Sequence, residues 1–196
     1  GFSQISGDLK NDGVNVRPIR NMAGGEDFNE VVFDDVLVPK DRIVGEPGNG
    51  WQQVTSELAY ERSGPERFLS SFRVFVELVR ICGDDPSPHQ AAAIGRIASH
   101  FMTLRRMSLS VAGVLEGGTD VGVEAASVQE LGNNFEKLLP EIARLVVPDL
   151  SAVDPDKQRL FRETFEETLM LSPSFTLRGG TREIMRGVIA RGLGLR

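Results

Sequence analysis

The chain has 196 residues, 40% apolar and 26% charged, with a net charge of −6 and a pI near 5.1, the balance of an ordinary globular domain with a substantial core. The acidic surplus, without any run of Lys or Arg, argues against nucleic acid or an anionic membrane as main partner, and no apolar stretch approaches the roughly 20 residues that span a bilayer. The lone Cys82 excludes an internal disulfide and fits a reducing cytoplasm, and with only His89 and His100 present no Cys- or His-based metal centre is expected. Gly1 to Gln4 lacks the basic-then-apolar pattern of a secretory leader. Lys10 to Gly13 is a turn signal, and Val14 to Arg17 alternates like a half-buried strand that Pro18 closes. After the loop Ala23 to Asp27 comes a β-rich segment, Glu30 to Val38. Its interruption at Asp34-Asp35 predicts a bend or bulge between two short strands. Three or four short strands make less than a stable sheet, so residues 1–46 are expected to be the tail of a β-domain.

From residue 47 the period becomes helical. Phe68, Phe72, Phe75, Val76 and Val79 form one apolar stripe, and Ile94, Ile97, Phe101, Leu104, Val111 and Leu115 a second. Val128, Leu131, Phe135, Leu138, Ile142 and Leu145 form a third. Leu160, Phe161, Phe165 and Leu169 form a fourth, and Ile184, Met185, Val188 and Ile189 a short fifth. Breaks fall at Gly83 to Pro86, Gly117 to Asp120, Pro148 to Pro155 and Ser172-Pro173. The expected class is mainly α: an up-down bundle of about four long helices over 47–196, preceded by the small β remnant. Pro65 should kink or divide the first helix, and Pro140 the third.

A Glu inside a helix is ordinarily a solvated surface charge, and Glu61, with Arg62 beside it and Arg67 nearby, could be no more than that. Gly180-Thr181-Arg182-Glu183 has its own physical reading. The two glycines Gly179 and Gly180 allow close backbone approach, Thr181 can cap the following helix with its hydroxyl, and a helix N-terminus suits phosphate. An ordinary capped helix start looks the same. Cys82 reads as a small packing residue, and neither His shows a catalytic partner.

Three segments taken together carry more: NEVVFDDVLVP at Asn29 to Pro39, then Asn49-Gly50-Trp51 with Tyr60-Glu61-Arg62, and finally LRGGTREIMRGVIARGLGLR at Leu177 to Arg196. In this order and at these separations they resemble the C-terminal half of an acyl-CoA dehydrogenase, over nearly the whole chain. The resemblance implies α,β-dehydrogenation of a CoA thioester, with FAD taking a hydride and an electron-transfer flavoprotein as onward carrier. In the isovaleryl and long-chain branches the base precedes an Arg on the first long helix, after the Gly-Trp that opens it, and Glu61 matches that place. Other branches carry the base as a Glu immediately before Gly-Thr, a position that is Gly179 here. The resemblance thus implies Glu61 as base, Tyr60 and Arg62 near substrate, and Gly180, Thr181, Arg182 and Glu183 against FAD.

The family's clamp on a neighbouring subunit's FAD is Arg, then Phe-Gly, then Gln seven residues after that Gly. Gly83 and Gln90 keep the spacing, but Cys82 takes the Phe position and Val79 the Arg position, with Arg80 displaced by one. The glycine-rich stretch that usually precedes the last helix is also missing; Arg162 to Pro173 reads as plain amphipathic helix. Homo- or hetero-oligomerisation through the bundle is implied. Two alternatives stay open: a non-catalytic partner subunit, and a flavin oxidase or monooxygenase of the same fold.

Overall fold

A computed structural model describes residues 1–119 and 121–195; Asp120, in the expected break, and Arg196, which ends the C-terminal motif, lie outside the described residues. The chain divides into two compact units between Glu57 and Leu58.

In the first unit, β2 (Val14–Ile19) and β3 (Phe28–Phe33) pair antiparallel from Val14↔Phe33 to Ile19↔Phe28. A second ladder joins β1 (Gln4–Ile5) to β4 (Ile43–Val44). Two details differ from expectation. β2 runs through Pro18 instead of stopping there, because in a two-stranded ladder the missing N–H can face outward. The expected second strand at Val36 to Val38 does not form: the Asp34 N–H bonds the Gly13 carbonyl at 2.9 Å, and Asp35 has φ +47°. The helix α1 (Gly50–Ser63) starts in this unit, where the Gly50 N–H reaches the Phe2 carbonyl at 2.7 Å, and ends in the next.

The second unit is a helical bundle. Pro65 divides the first helix as expected, since the residue before a proline is driven from helical geometry: Gly64 is extended at ψ 156° and Pro65–Arg67 form a single 3-10 turn. Then come α2 (Phe72–Cys82), α3 (Pro88–Glu116), α4 (Gly122–Val146), α5 (Pro155–Leu171), a 3-10 stretch Ser172–Leu177 and α6 (Arg182–Gly192). Caps explain the starts. Ser87 and Gln90 make a reciprocal capping box ahead of α3, and the Asp154 carboxylate accepts from the Asp156 and Lys157 N–H groups at 3.0 and 3.2 Å ahead of α5. Pro140 does not break α4; it is fully buried, and packing of the neighbouring turns against α3 and α6 outweighs one lost backbone bond. No described helix is long and apolar enough to cross a membrane.

An aromatic chain ties α2, α3 and α4 together. Phe101 stacks edge-on against Phe72 at 5.1 Å and Phe135 at 4.8 Å, with Phe75 at 5.6 Å. The second stripe lands as read, with Ile97, Phe101, Leu104 and Val111 buried. Two other stripes are out of phase. In α2 the inward residues are Val74, Glu77, Leu78 and Ile81, leaving Phe72 and Val79 exposed. In α4 Val128 and Phe135 are buried, but Leu131, Leu138 and Leu145 point outward, because Gln129, Gly132, Asn133 and Glu136 occupy the inward face. Phe135→Ala is therefore expected to cost about 3–5 kcal/mol in urea unfolding, and Leu138→Ala no more than about 0.5 kcal/mol.

Candidate active site

Helix α1 closes on Ser63, whose hydroxyl bonds back to the Ala59 carbonyl at 2.8 Å and whose carbonyl accepts from Ser108 of α3 at 2.6 Å. The 3-10 turn then folds the chain back on α1. Arg67, only 5% exposed, returns to Glu61 with one edge of its guanidinium. Its Nε donates to the Glu61 backbone carbonyl at 3.0 Å, and its Nη2 is ion-paired with Glu61 Oε1. The turn comes this close because position 132 of α4 is glycine. A Cβ there would lie 2.3 Å from the Arg67 carbonyl oxygen. Arg67, noted in the sequence only as one neighbour of Glu61, is thus the residue that grips it. Arg62 is not: its Nε is buried without a hydrogen-bond partner. Burial depresses the Arg62 guanidinium; adjacent Glu61 opposes this and Arg67 adds to it. Tyr60 is exposed.

From the opposite end of the chain, the segment after the 3-10 stretch is pinned to α4 by polar residues. Glu136, with no exposure, accepts from the Ser70 N–H and is ion-paired with Arg178. Arg178 also donates to Ser70 Oγ at 2.7 Å and covers the Phe175 ring at 4.7 Å. Gln129 Nε2 bonds the Arg178 carbonyl and, at 3.4 Å, that of Gly180. Between these anchors Gly179 takes φ +62°, in the left-handed region. A Cβ at Gly179 would lie 2.7 Å from Glu61 Oε1 and 2.9 Å from Arg67 Nη2. The two ends of the sequence meet here, at one carboxylate and one guanidinium.

The remaining expected residues are otherwise engaged. Thr181 stands at the N-cap of α6 but makes no side-chain capping bond; its hydroxyl lies beside the Glu183 carboxyl instead. The nearby N–H of Glu183 itself, and then the Thr181 hydroxyl, hold the Glu183 carboxyl below the usual range. Arg182 pairs with Glu130 of α4 at 3.5 Å, beside Arg186 at 2.8 Å, so it docks α6 onto the bundle. Gly180, at φ +115°, abuts the Met185 side chain. Arg80 pairs with the buried Glu77 at 2.7 Å. Gln90 completes the capping box and donates to the Val146 carbonyl at 3.1 Å, joining the start of α3 to the end of α4. Burial raises the Cys82 thiol.

The C-terminal anchor is pH-sensitive. Burial raises the Glu136 carboxyl above its ordinary 4.5, outweighing the Arg178 charge and the Ser70 hydrogen bonds that favour ionisation. The folded chain then binds more protons here than the unfolded one, so this contribution is full below the ordinary value and is lost as pH rises through the folded one. Urea unfolding across pH is expected to show that decline in the wild type and a flatter profile in Glu136→Gln.

No protein-family model matches the chain. Along its whole length it is 32% identical, over 207 aligned residues, to acyl-CoA dehydrogenase IpdE1 of Mycobacterium tuberculosis, and it covers 51% of that protein. Among solved structures, the Tcur3481–Tcur3483 steroid ACAD superposes with a TM-score of 0.78 at 20% identity, over 100% of this chain and 52% of that one. The ChsE4–ChsE5 complex from Mycobacterium tuberculosis does so with a TM-score of 0.74 at 22% identity, over 99% and 52%. The chain spans about half the length of the curated relatives it matches. By sequence along its full length, and by fold, the chain is related to the C-terminal half of the acyl-CoA dehydrogenases.

Proposed function

We propose that this chain provides the base-bearing half of an FAD-dependent acyl-CoA dehydrogenase, with Glu61 taking the proton beside the thioester carbonyl. The observation that carries the reading is the meeting of Glu61 with Gly179. The family resemblance names these two positions as alternative homes for the base, and the carboxylate of one lies against the place where the other's side chain would begin. One home holds a carboxylate and the other has no side chain at all.

A carboxylate suits this task when it is fixed in place and shielded from water. Glu61 is half-exposed in the isolated chain, and a bound acyl chain would complete its desolvation. Tyr60 and Arg62, on the same turn of α1, are the side chains we assign to the substrate's surroundings.

FAD fits the first turn of α6 through its hydroxyl groups better than through its phosphates. The Glu183 carboxylate lies by its own N–H, one of the groups a phosphate would need, and it is an acceptor. Thr181 and Glu183 are therefore the residues we assign to the cofactor, with Gly180 allowing close approach and Arg182 bracing the helix. FAD, when bound, supplies the hydride acceptor for the β-carbon. Arg80 and Gln90 already serve Glu77 and the end of α4, so any contact from them to a neighbouring subunit's FAD is secondary. The rest of the flavin and acyl pocket we assign to sequence outside these 196 residues, an electron-transfer flavoprotein to the onward step, and the cytoplasm to the compartment. Oligomerisation is assigned to the outer face of the bundle, where Leu131, Leu138 and Leu145 are exposed.

A second reading, a non-catalytic partner subunit, draws on the engaged state of Arg80 and Gln90 and on the paired assembly of the ChsE4–ChsE5 complex. Anaerobic bleaching of the flavin band by a panel of CoA thioesters separates the two. In the holoenzyme containing this chain, Glu61→Gln is expected to slow bleaching by at least about 100-fold. Unchanged bleaching would place the chemistry in another chain.

A further inference from the structure

We infer that Arg67 is the positioning residue of Glu61, orienting its carboxylate so that Oε2 is the oxygen presented to the substrate; this rests on the reading of Glu61 as base. One planar guanidinium holds Glu61 at both ends, Nε on its backbone carbonyl at 3.0 Å and Nη2 on its Oε1. Such a grip restrains the torsions between main chain and carboxylate, which on a half-exposed side chain are otherwise free to move. Oε1 is thereby engaged, and Oε2 is left to take the proton.

Arg67 can act as a fixed reference because it is itself fixed. Its side chain is 6% exposed, its N–H bonds the Gly64 carbonyl at 3.1 Å, and its carbonyl rests on Gly132. Glu61 is the only carboxylate ion-paired with it among the described residues, so the grip is undivided. The same guanidinium borders the space left open by Gly179, its Nη2 lying 2.9 Å from where a Cβ would stand. Proton transfer keeps the grip: with Oε2 protonated, Oε1 remains an acceptor for Nη2–H. A structural ion pair alone would not need to span two acceptors on one residue. A lysine could supply the charge but not the span.

Steady-state kinetics on the flavin-loaded holoenzyme containing this chain test the assignment. Arg67→Met is expected to lower kcat roughly 10- to 100-fold with KM changed less than about 3-fold, because a displaced base loses proton transfer while acyl contacts persist. In a Glu61→Gln background the same substitution is expected to have no further effect, since Arg67 acts through Glu61. Arg67→Lys should restore part of the loss. Unchanged kcat in Arg67→Met, an effect carried by KM, or an equal drop in the Glu61→Gln background would each overturn the assignment. If circular dichroism shows Arg67→Met unfolded, Arg67→Lys decides: reduced kcat at constant KM sustains the role, and wild-type kcat overturns it. Full turnover by Glu61→Gln removes the base itself and the positioning role with it, whereas an inactive Glu61→Gln beside a fully active Arg67→Met removes only the latter.

Discussion

A carboxylate without exposure must find donors for its oxygens inside the protein, and Glu136 finds them in two distant stretches of chain. The Ser70 N–H comes from just ahead of α2, and the Arg178 guanidinium from just after the 3-10 stretch that follows α5. Burying that charge is unfavourable by several kcal/mol unless both partners are in place, so the segments that carry them are fastened to α4. Arg178 is one residue before Gly179, and Ser70 three residues after Arg67. The polar face of α4 therefore sets the distance between the beginning and the end of the candidate site. Gln129 and Glu130 extend the same face toward Gly180 and α6.

Charge complementarity recurs across this region. Buried Arg67 pairs with Glu61, buried Glu136 with Arg178, and buried Glu130 with Arg182 and Arg186. In each case one partner is largely sequestered while the other keeps some contact with solvent. Truncating the solvent-facing member leaves a desolvated charge, which is more damaging than the pair is stabilising. The value of these pairs lies in where they place the backbone, above all at Gly179 and Gly180, whose conformations other residues adopt only with strain.

Much of this was legible in the sequence. Apolar spacing located α3 and its buried Ile97, Phe101 and Leu104, and turn chemistry located the breaks, including Pro65. The phase of α4 was not legible, because a periodicity reading counts leucines and discards Gln129, Asn133 and Glu136. Those residues face inward because their partners, Ser70 and Arg178, lie far along the chain. The Thr181 hydroxyl was expected on the helix backbone, yet it makes no capping bond and lies beside the Glu183 carboxylate, a charged acceptor. Arg67 sits among exposed charges in the sequence, and nothing local marks it as buried. Its one external signal was a glycine inside an otherwise helical pattern, at position 132, which marks a close backbone approach without saying whose.

That glycine has a consequence for how variation in this protein should be interpreted. Gly132 contributes no charge, no donor and no acceptor side chain, yet it determines how near the Arg67 turn can come to α4. Catalogues of functional residues built on chemical type would pass over it. On the proposed role of Glu61, variants at position 132 would behave like variants of the site itself, because an added Cβ displaces the turn that carries Arg67. Harmful substitutions there would leave every reactive group intact, so their phenotype would look like a defect of chemistry while its origin is a single added methyl group.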